Sequence, residues 1–272
     1  MSSLCPVCGN LAASERRVGV YDLHRCPTCG LGFAPDAFGE SVSYEATYKT
    51  EEYRRTQIDA IRGAFNPADF ARLPTYRAFF ERALPENGRQ LLDVGCGVGR
   101  FCHAAKRLGW MVNGIDVSAQ AVAIARGAAD FPVRQATLDE VVLNREQFDV
   151  VTAFEVVEHL AAPVSFLRQA IDVLRPGGLF FCTVPNGGAP DILNATRLDW
   201  LPPVHLCFYR RAALRTLGAR GGLERVATGF IREGAMQEGL GVWAIARYVI
   251  RRLVRRFRQA HGLWMSGRKS SR

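Results

Sequence analysis

The fold can be read from Leu91-Leu92-Asp93-Val94-Gly95-Cys96-Gly97-Val98-Gly99-Arg100. Apolar residues run up to Val94, glycines alternate through a turn, and a helical pattern begins after them. Glycines at a strand-to-helix turn let a ligand touch backbone where a side chain would block it. Arg100 stands where a pyrophosphate loop of the G-x-G-x-x-G type carries its third glycine, and Asp93 would repel a pyrophosphate. The ligand at this loop therefore carries positive charge. Asp116 ends the next apolar run, where a carboxylate can accept from both hydroxyls of a ribose.

Outward from this loop, short apolar runs alternate with helical spacing. Strands are expected at residues 90–94, 111–116, 132–135, 148–154 and 179–184, and helices at 101–108, 118–128 and 164–174, the second capped by Ser118. Strand alternating with helix implies parallel strands joined by right-handed crossovers, hence a doubly wound α/β sheet.

A cationic, ribose-bearing ligand fits S-adenosyl-L-methionine better than NAD. Five motifs agree, in this order: Leu92-Asp93-Val94-Gly95-Cys96-Gly97-Val98-Gly99, Gly114-Ile115-Asp116-Val117-Ser118, Phe148-Asp149-Val150-Val151, Glu155-Val156-Val157-Glu158-His159-Leu160 and Leu174-Arg175-Pro176-Gly177-Gly178. Together they resemble the class I S-adenosylmethionine-dependent methyltransferases, over residues 85 to about 230. The resemblance implies a Rossmann-like seven-stranded sheet of order 3-2-1-4-5-7-6, with the cofactor at the carboxyl ends of its first two strands. It assigns the cofactor to Asp93, Gly95, Cys96, Gly97, Gly99, Asp116, Val117, Thr137, Leu138 and Phe154. One departure stands out. Relatives often carry an acid after the third strand to accept from the adenine amine, whereas this chain reads Gln135-Ala136-Thr137-Leu138 with no acid before Asp139. A backbone contact near Thr137 or Leu138 can take that role.

The candidate catalytic residues are Glu155, Glu158, His159 and His205. Their spacing predicts Glu155 over Glu158 and His159 on one helical turn. Glu-x-x-Glu-His with a later histidine resembles the metal-assisted O-methyltransferases of ubiquinone synthesis and of small-RNA 3′ ends. That resemblance implies a divalent ion such as Mg2+ acidifying a substrate hydroxyl. Two other readings stand beside it. His205 can act as a general base without metal, since a neutral imidazole accepts protons well near neutral pH. Alternatively, the carboxylate and imidazole only fix the loop.

Cys5, Cys8, Cys26 and Cys29 form two Cys-x-x-Cys pairs in a repeated Cys-Pro-x-Cys-Gly frame. That spacing is the window of a zinc ribbon, and four thiolates around one ion make a closed structural Zn2+ site. A segment this short buries little core, so the metal would hold it together. Cys96, Cys102, Cys182 and Cys207 are scattered and read as buried or incidental thiols.

The 272 residues thus divide into a zinc-ribbon segment (1–34), lead-in helices (35–85), a methyltransferase domain (86–236) and a basic amphipathic C-terminal helix and tail (237–272). The net charge of +9 is concentrated. Of the 35 Lys and Arg, nine fall after residue 240 with no acid among them, leaving 26 bases to balance the 26 acids before it. A neutral body suits a small-molecule acceptor and argues against RNA, the competing substrate class; lipid-linked, sugar and secondary-metabolite hydroxyls head the candidates. Apolar residues from Val242 to Phe257 recur at helical spacing with arginines between them. Such a helix rests on anionic lipid, with Trp243 and Trp264 at the headgroups, or packs against the body or a homodimer mate. No apolar stretch reaches membrane-spanning length, and the first residues lack a secretory pattern, so a cytoplasmic location, peripheral to the membrane in the lipid-bound case, is expected.

Overall fold

The computed structural model describes residues 2–40, 42, 73–83, 89–188, 201–231 and 262–271. Strands β1 (Ser2–Leu4), β2 (Leu11–Val18), β3 (Tyr21–Arg25) and β4 (Gly32–Phe33) form an antiparallel meander carrying the four cysteines at its turns. Helix α1 (Pro74–Phe80) follows, with proline at its first position, where the missing N–H costs no hydrogen bond.

The main body begins at β5 (Gln90–Val94). It continues with α2 (Arg100–Arg107), β6 (Met111–Asp116), α3 (Ala119–Arg126), β7 (Val133–Gln135), α4 (Leu138–Leu143) and β8 (Phe148–Phe154). Then come α5 (Pro163–Asp172), β9 (Leu174–Pro185), β10 (Cys207–Phe208), α6 (Arg211–Gly221), β11 (Glu224–Ile231) and β12 (Gly262–Arg268). The seven-stranded sheet runs β11-β12-β9-β8-β5-β6-β7. Numbered by order within the sheet, that is the 3-2-1-4-5-7-6 arrangement expected.

Side chains of the central strands alternate between two cores, as a sheet covered on both faces requires. From β5, Leu91 packs with Phe79, Phe101, Trp110 and Phe181, while Leu92 packs with Ile115, Val151, Leu167 and Leu217. The cap on α3 is the one expected, Ser118 Oγ accepting from the Ala121 N–H at 3.2 Å. Helix α4, not expected from periodicity, is closed by Glu140, whose Oε2 accepts from the Thr137 N–H at 2.7 Å.

Two expectations need correction, and one falls largely outside the described residues. Residues 164–174 do not form one helix: α5 ends at Asp172, and Leu174 already pairs with Phe148 in β9. Of the lead-in segment 35–85, the described residues 35–40, 42 and 73–83 hold a 3-10 turn (Pro35–Ala37) and α1; the helix expected around Tyr44, Tyr48 and Tyr53 lies outside the described residues.

The second correction concerns the C-terminal segment. Gly262–Arg268 is not helix or tail but strand β12, antiparallel to both β9 and β11. Trp264 is not at a membrane surface. It is 9% exposed, its ring stacks on Phe181 with centroids 6.3 Å apart, and the Arg82 guanidinium sits 3.9 Å over it. Trp243 and the basic stripe 242–258 lie outside the described residues. Among those described, no helix is long and apolar enough to cross a membrane.

Candidate active site

A cavity of about 900 Å³ opens at the carboxyl ends of β5 and β6. The glycine loop shapes its floor. Gly95, Gly97 and Gly99 have φ of 71°, 54° and 84°, the left-handed region that favours glycine. A Cβ on Gly95 would also come within 2.5 Å of the Val156 side chain, so this turn is fixed by packing as well as by φ.

Asp116 is tied to that loop. Its Oδ2 accepts from the Gly97 N–H and its Oδ1 from the Ser118 N–H, each at 2.8 Å. Each oxygen keeps a second lone pair for a ribose hydroxyl. Burial raises its carboxyl above the usual range, partly countered by those N–H donors. Asp93 lies deeper, 2% exposed, accepting from Thr152 Oγ1 at 2.7 Å and from Cys102 Sγ at 3.5 Å. Burial pushes its carboxyl up to about 7.

Asp93, Gly95, Cys96, Gly97, Asp116, Val117, Thr137, Leu138 and Phe154, all expected at the cofactor, line this cavity. Gly99 does not appear among the lining residues. It caps the start of α2, and a Cβ there would meet the Phe131 ring at 3.5 Å. The Thr137 N–H donates to Glu140, so an acceptor for the adenine amine at Thr137 or Leu138 would be a backbone carbonyl oxygen. Asp139 also reaches the cavity, its Oδ1 accepting from the Gln169 amide.

Sequence reasoning missed the opposite wall. Leu73, Thr75 and Tyr76 at the start of α1 line the cavity, as do Phe166 and Gln169 of α5. Tyr76 packs edge-on against Phe154 at 5.1 Å and tilted against Phe101 at 5.3 Å, closing α1 over the end of β8. The aromatic spacing Tyr76, Phe79, Phe80 was a visible signal for a buried helix face. What that face covers is a tertiary fact.

The acid and imidazole groups sit where β8 ends. Glu155 has φ +54°, costly for a residue with a side chain, and its Oε1 accepts from Thr183 Oγ1 at 2.8 Å. This left-handed residue breaks the helical turn expected to carry Glu155, Glu158 and His159 together. A 3-10 turn over Val157–His159 follows instead, sending Glu158 inward and His159 to the cavity wall. His159 Nδ1 lies 2.7 Å from the Val204 carbonyl oxygen. A proton on Nδ1 would donate there and leave Nε2 as the acceptor. The His205 ring stands 4.7 Å from the His159 ring at 71°.

Ligand atoms of Glu158, His159 and His205 all lie within 4.8 Å of one another; Glu155 is outside this set. Glu158 is 1% exposed and both its oxygens are buried without a hydrogen-bond partner. Burial, and then the charge of Glu155, hold its carboxyl well above the usual range. Burial also lowers His159, favouring the neutral imidazole. A buried carboxyl beside two imidazoles is a donor set that a divalent cation satisfies, with loss of the carboxyl proton as the cation binds. His159 meets the cavity, whereas Glu158 and His205 stand behind it.

The four N-terminal cysteines converge. Sγ atoms of Cys5 and Cys29 are 3.6 Å apart, those of Cys8 and Cys26 3.4 Å, and all four lie within 4.8 Å. A disulfide would need about 2.05 Å. Four sulfurs at about 2.3 Å from one zinc ion would be about 3.8 Å apart. The two turns repeat each other: Gly9 N–H donates to the Cys5 carbonyl and Gly30 N–H to that of Cys26, both at 2.9 Å, with φ of 79° and 77° at the glycines. The Cys5–Cys29 contact lowers the Cys5 thiol and raises that of Cys29, as one proton shared between two sulfurs requires. These residues fit a structural zinc.

Residues 68–228 match a family described as a methyltransferase domain. A protein named ubiquinone biosynthesis O-methyltransferase from Methylobacterium sp. (strain 4-46) is 42% identical over 128 residues, 43% of this chain and 51% of that protein. The chain spans about half the length of the curated relatives it matches. Among solved structures, a SAM dependent methyltransferase from Archaeoglobus fulgidus superposes with a TM-score of 0.57 at 20% identity, covering 80% of this chain and 100% of that one. An S-adenosylmethionine dependent methyltransferase from Mesorhizobium loti gives 0.54 at 21% identity, covering 73% and 99%. At such identities the likeness is one of fold.

Proposed function

Because the chain belongs to the methyltransferase domain family, we propose that it transfers the methyl group of S-adenosyl-L-methionine to a hydroxyl oxygen of a small molecule. One observation carries this reading: a single cavity is bounded by the glycine loop and Asp116 on one side and by His159 of the Glu158–His159–His205 cluster on the other. The names of the relatives favour oxygen as the acceptor atom. The acceptor itself is drawn from lipid-linked, sugar or secondary-metabolite alcohols and phenols.

In this reading Asp116 accepts from the ribose hydroxyls, Thr137 and Leu138 face the adenine, and Asp93 supplies negative charge beneath a cationic ligand. A sulfonium-bound methyl is already activated, so the protein's task is alignment and proton removal. A divalent cation such as Mg2+, when held by Glu158, His159 and His205, supplies acidification of the acceptor hydroxyl. Without it, His159 is the base that reaches the cavity, and His205 supports it from behind. Glu155, fixed by Thr183, keeps a second carboxylate beside Glu158. Zinc at Cys5, Cys8, Cys26 and Cys29 is structural.

The test is calorimetry with S-adenosyl-L-methionine and NAD, followed by transfer of labelled methyl groups into extracted metabolites. Binding of NAD without S-adenosyl-L-methionine would falsify the assignment. For the basic stripe 242–258, flotation with anionic vesicles at low salt separates a lipid-resting helix from one packed on the body or on a second copy.

A further inference from the structure

The sheet that carries the cysteines does not end within the N-terminal segment. Its order is β1-β2-β3-β4-β10, and β10 comes from the far side of the sequence, directly after His205 and Leu206. Strand β4 pairs with β3 on one edge and with β10 on the other, Phe33 opposite Cys207 and Gly32 opposite Phe208.

The link continues by backbone hydrogen bonds. The Ala34 N–H donates to the Leu206 carbonyl at 3.0 Å, and the Leu206 N–H donates to the Glu158 carbonyl at 2.9 Å. Leu206 thus joins the ribbon to the 3-10 turn that carries Glu158 and His159, and His205 precedes it by one residue. Among the described residues the ribbon has no separate core to absorb a displacement. Cys26, Leu31 and Phe33 belong to the same buried cluster as Val157, Leu206 and Tyr209. The hydrogen bonds of Gly95, Gly97 and Asp116 run to Ile115, Ser118, Ala136 and one another, away from the ribbon.

We infer that the metal-bound ribbon is the brace that sets His205 against Glu158 and His159, through β4–β10 pairing and the Ala34–Leu206–Glu158 backbone link. This rests on the four-cysteine zinc site and the acid–imidazole cluster proposed above. The four thiolates fix the turn that ends at Gly30, that turn fixes where β4 lies, and β4 fixes β10. Loss of metal loosens β4 and lets the segment carrying His205 move, while the glycine loop and Asp116 keep their own supports. Gly32, Phe33 and Ala34 are positioning residues in this scheme; none of them lines the cofactor cavity.

Two variants of the full chain test it. Cys26→Ser removes a metal ligand. Gly32→Val leaves all four cysteines but puts bulk where a Cβ already lies 3.3 Å from the Phe208 Cβ and 3.2 Å from Arg25 Nη1, wedging β4 from β10. The readouts are metal content, amide hydrogen exchange at Leu206 and Phe208, imidazole NMR signals of His159 and His205, and cofactor affinity by calorimetry. In both variants Leu206 exchange should accelerate by at least about tenfold. The His159 and His205 signals should shift while His103, beside Phe131, does not. Affinity for S-adenosyl-L-methionine should stay within about twofold of the parent. Gly32→Val should retain its metal, which keeps the inference testable if Cys26→Ser fails to fold. Unchanged Leu206 exchange in metal-free Cys26→Ser, or in Gly32→Val, overturns the brace. A parent chain without bound metal overturns the zinc reading beneath it, a separate and distinguishable failure.

Discussion

Asp93→Asn is the substitution whose effect can be worked furthest from the structure. Asp93 is enclosed beneath the glycine loop, and its Oδ1 accepts from Thr152 Oγ1 at 2.7 Å. Burial raises its carboxyl from an ordinary 3.8 to about 7. The folded chain therefore holds this proton more tightly than the unfolded chain does. The Asp93 contribution to stability is complete below about pH 4, is lost as pH rises toward about 7, and is flat above that. At about 1.4 kcal/mol per pH unit across that interval, the ionised carboxylate costs the ligand-free fold about 4 kcal/mol. Asparagine keeps the shape and cannot ionise. The stability gap between variant and parent should thus widen in the variant's favour by about 4 kcal/mol between about pH 4 and pH 8. For a chain of this size that is on the order of 10 °C in Tm.

Binding should run the other way. A cationic ligand over Asp93 favours the ionised form, so parent affinity for S-adenosyl-L-methionine should exceed that of the variant at about pH 8 by tenfold or more, with the ratio shrinking at about pH 5.5. The assays are denaturation curves across a pH series and calorimetry at both ends. Parallel stability curves for the two chains, or an affinity ratio independent of pH, would refute a buried, proton-holding Asp93 beneath a cation.

Other outcomes follow from the same geometry. Asp116→Ala should weaken S-adenosyl-L-methionine binding by about tenfold or more in calorimetry, from loss of charge-assisted hydrogen bonds and of the Gly97 and Ser118 anchors. Elemental analysis should find about one zinc per chain, and Cys26→Ser should lose it. His159→Ala and His205→Ala should each lower turnover far more than cofactor affinity. If a chelator that spares the ribbon zinc also abolishes turnover and Mg2+ restores it, the cluster acts through a cation; unchanged turnover in both variants retires the cluster from the chemistry. A chain cut after Leu240 should not fold, as circular dichroism would show. It lacks β12, whose buried Leu263, Trp264 and Met265 contribute about 2 kcal/mol each or more, a large part of a typical net stability of about 5–15 kcal/mol. A folded, cofactor-binding truncation would contradict the placement of β12 inside the sheet.

The sequence alone determined what depends on neighbours in the chain. A strand, a glycine turn and a helix are contiguous, so Leu91 to Arg100 specified the glycine loop that floors the cavity. The Ser118 cap and both cysteine turns are equally local: each is set within a few residues by φ, by a short side chain or by a turn hydrogen bond. Tertiary structure decided what long-range pairing brings together. The run Gly262–Arg268 reads as tail until β9 and β11 hydrogen-bond to it on both edges. Tyr76 is one aromatic on a helix until Phe154 and Phe101 show which wall it closes. Glu155 and Glu158 have helical spacing, yet the positive φ at Glu155 breaks the helix and a 3-10 turn carries Glu158 instead. Cys207 and Phe208 carry no strand signal of their own. They become a strand because β4, more than a hundred residues earlier, presents an open edge beside them. A backbone edge is satisfied by whatever chain the fold delivers to it, and no local pattern records that choice.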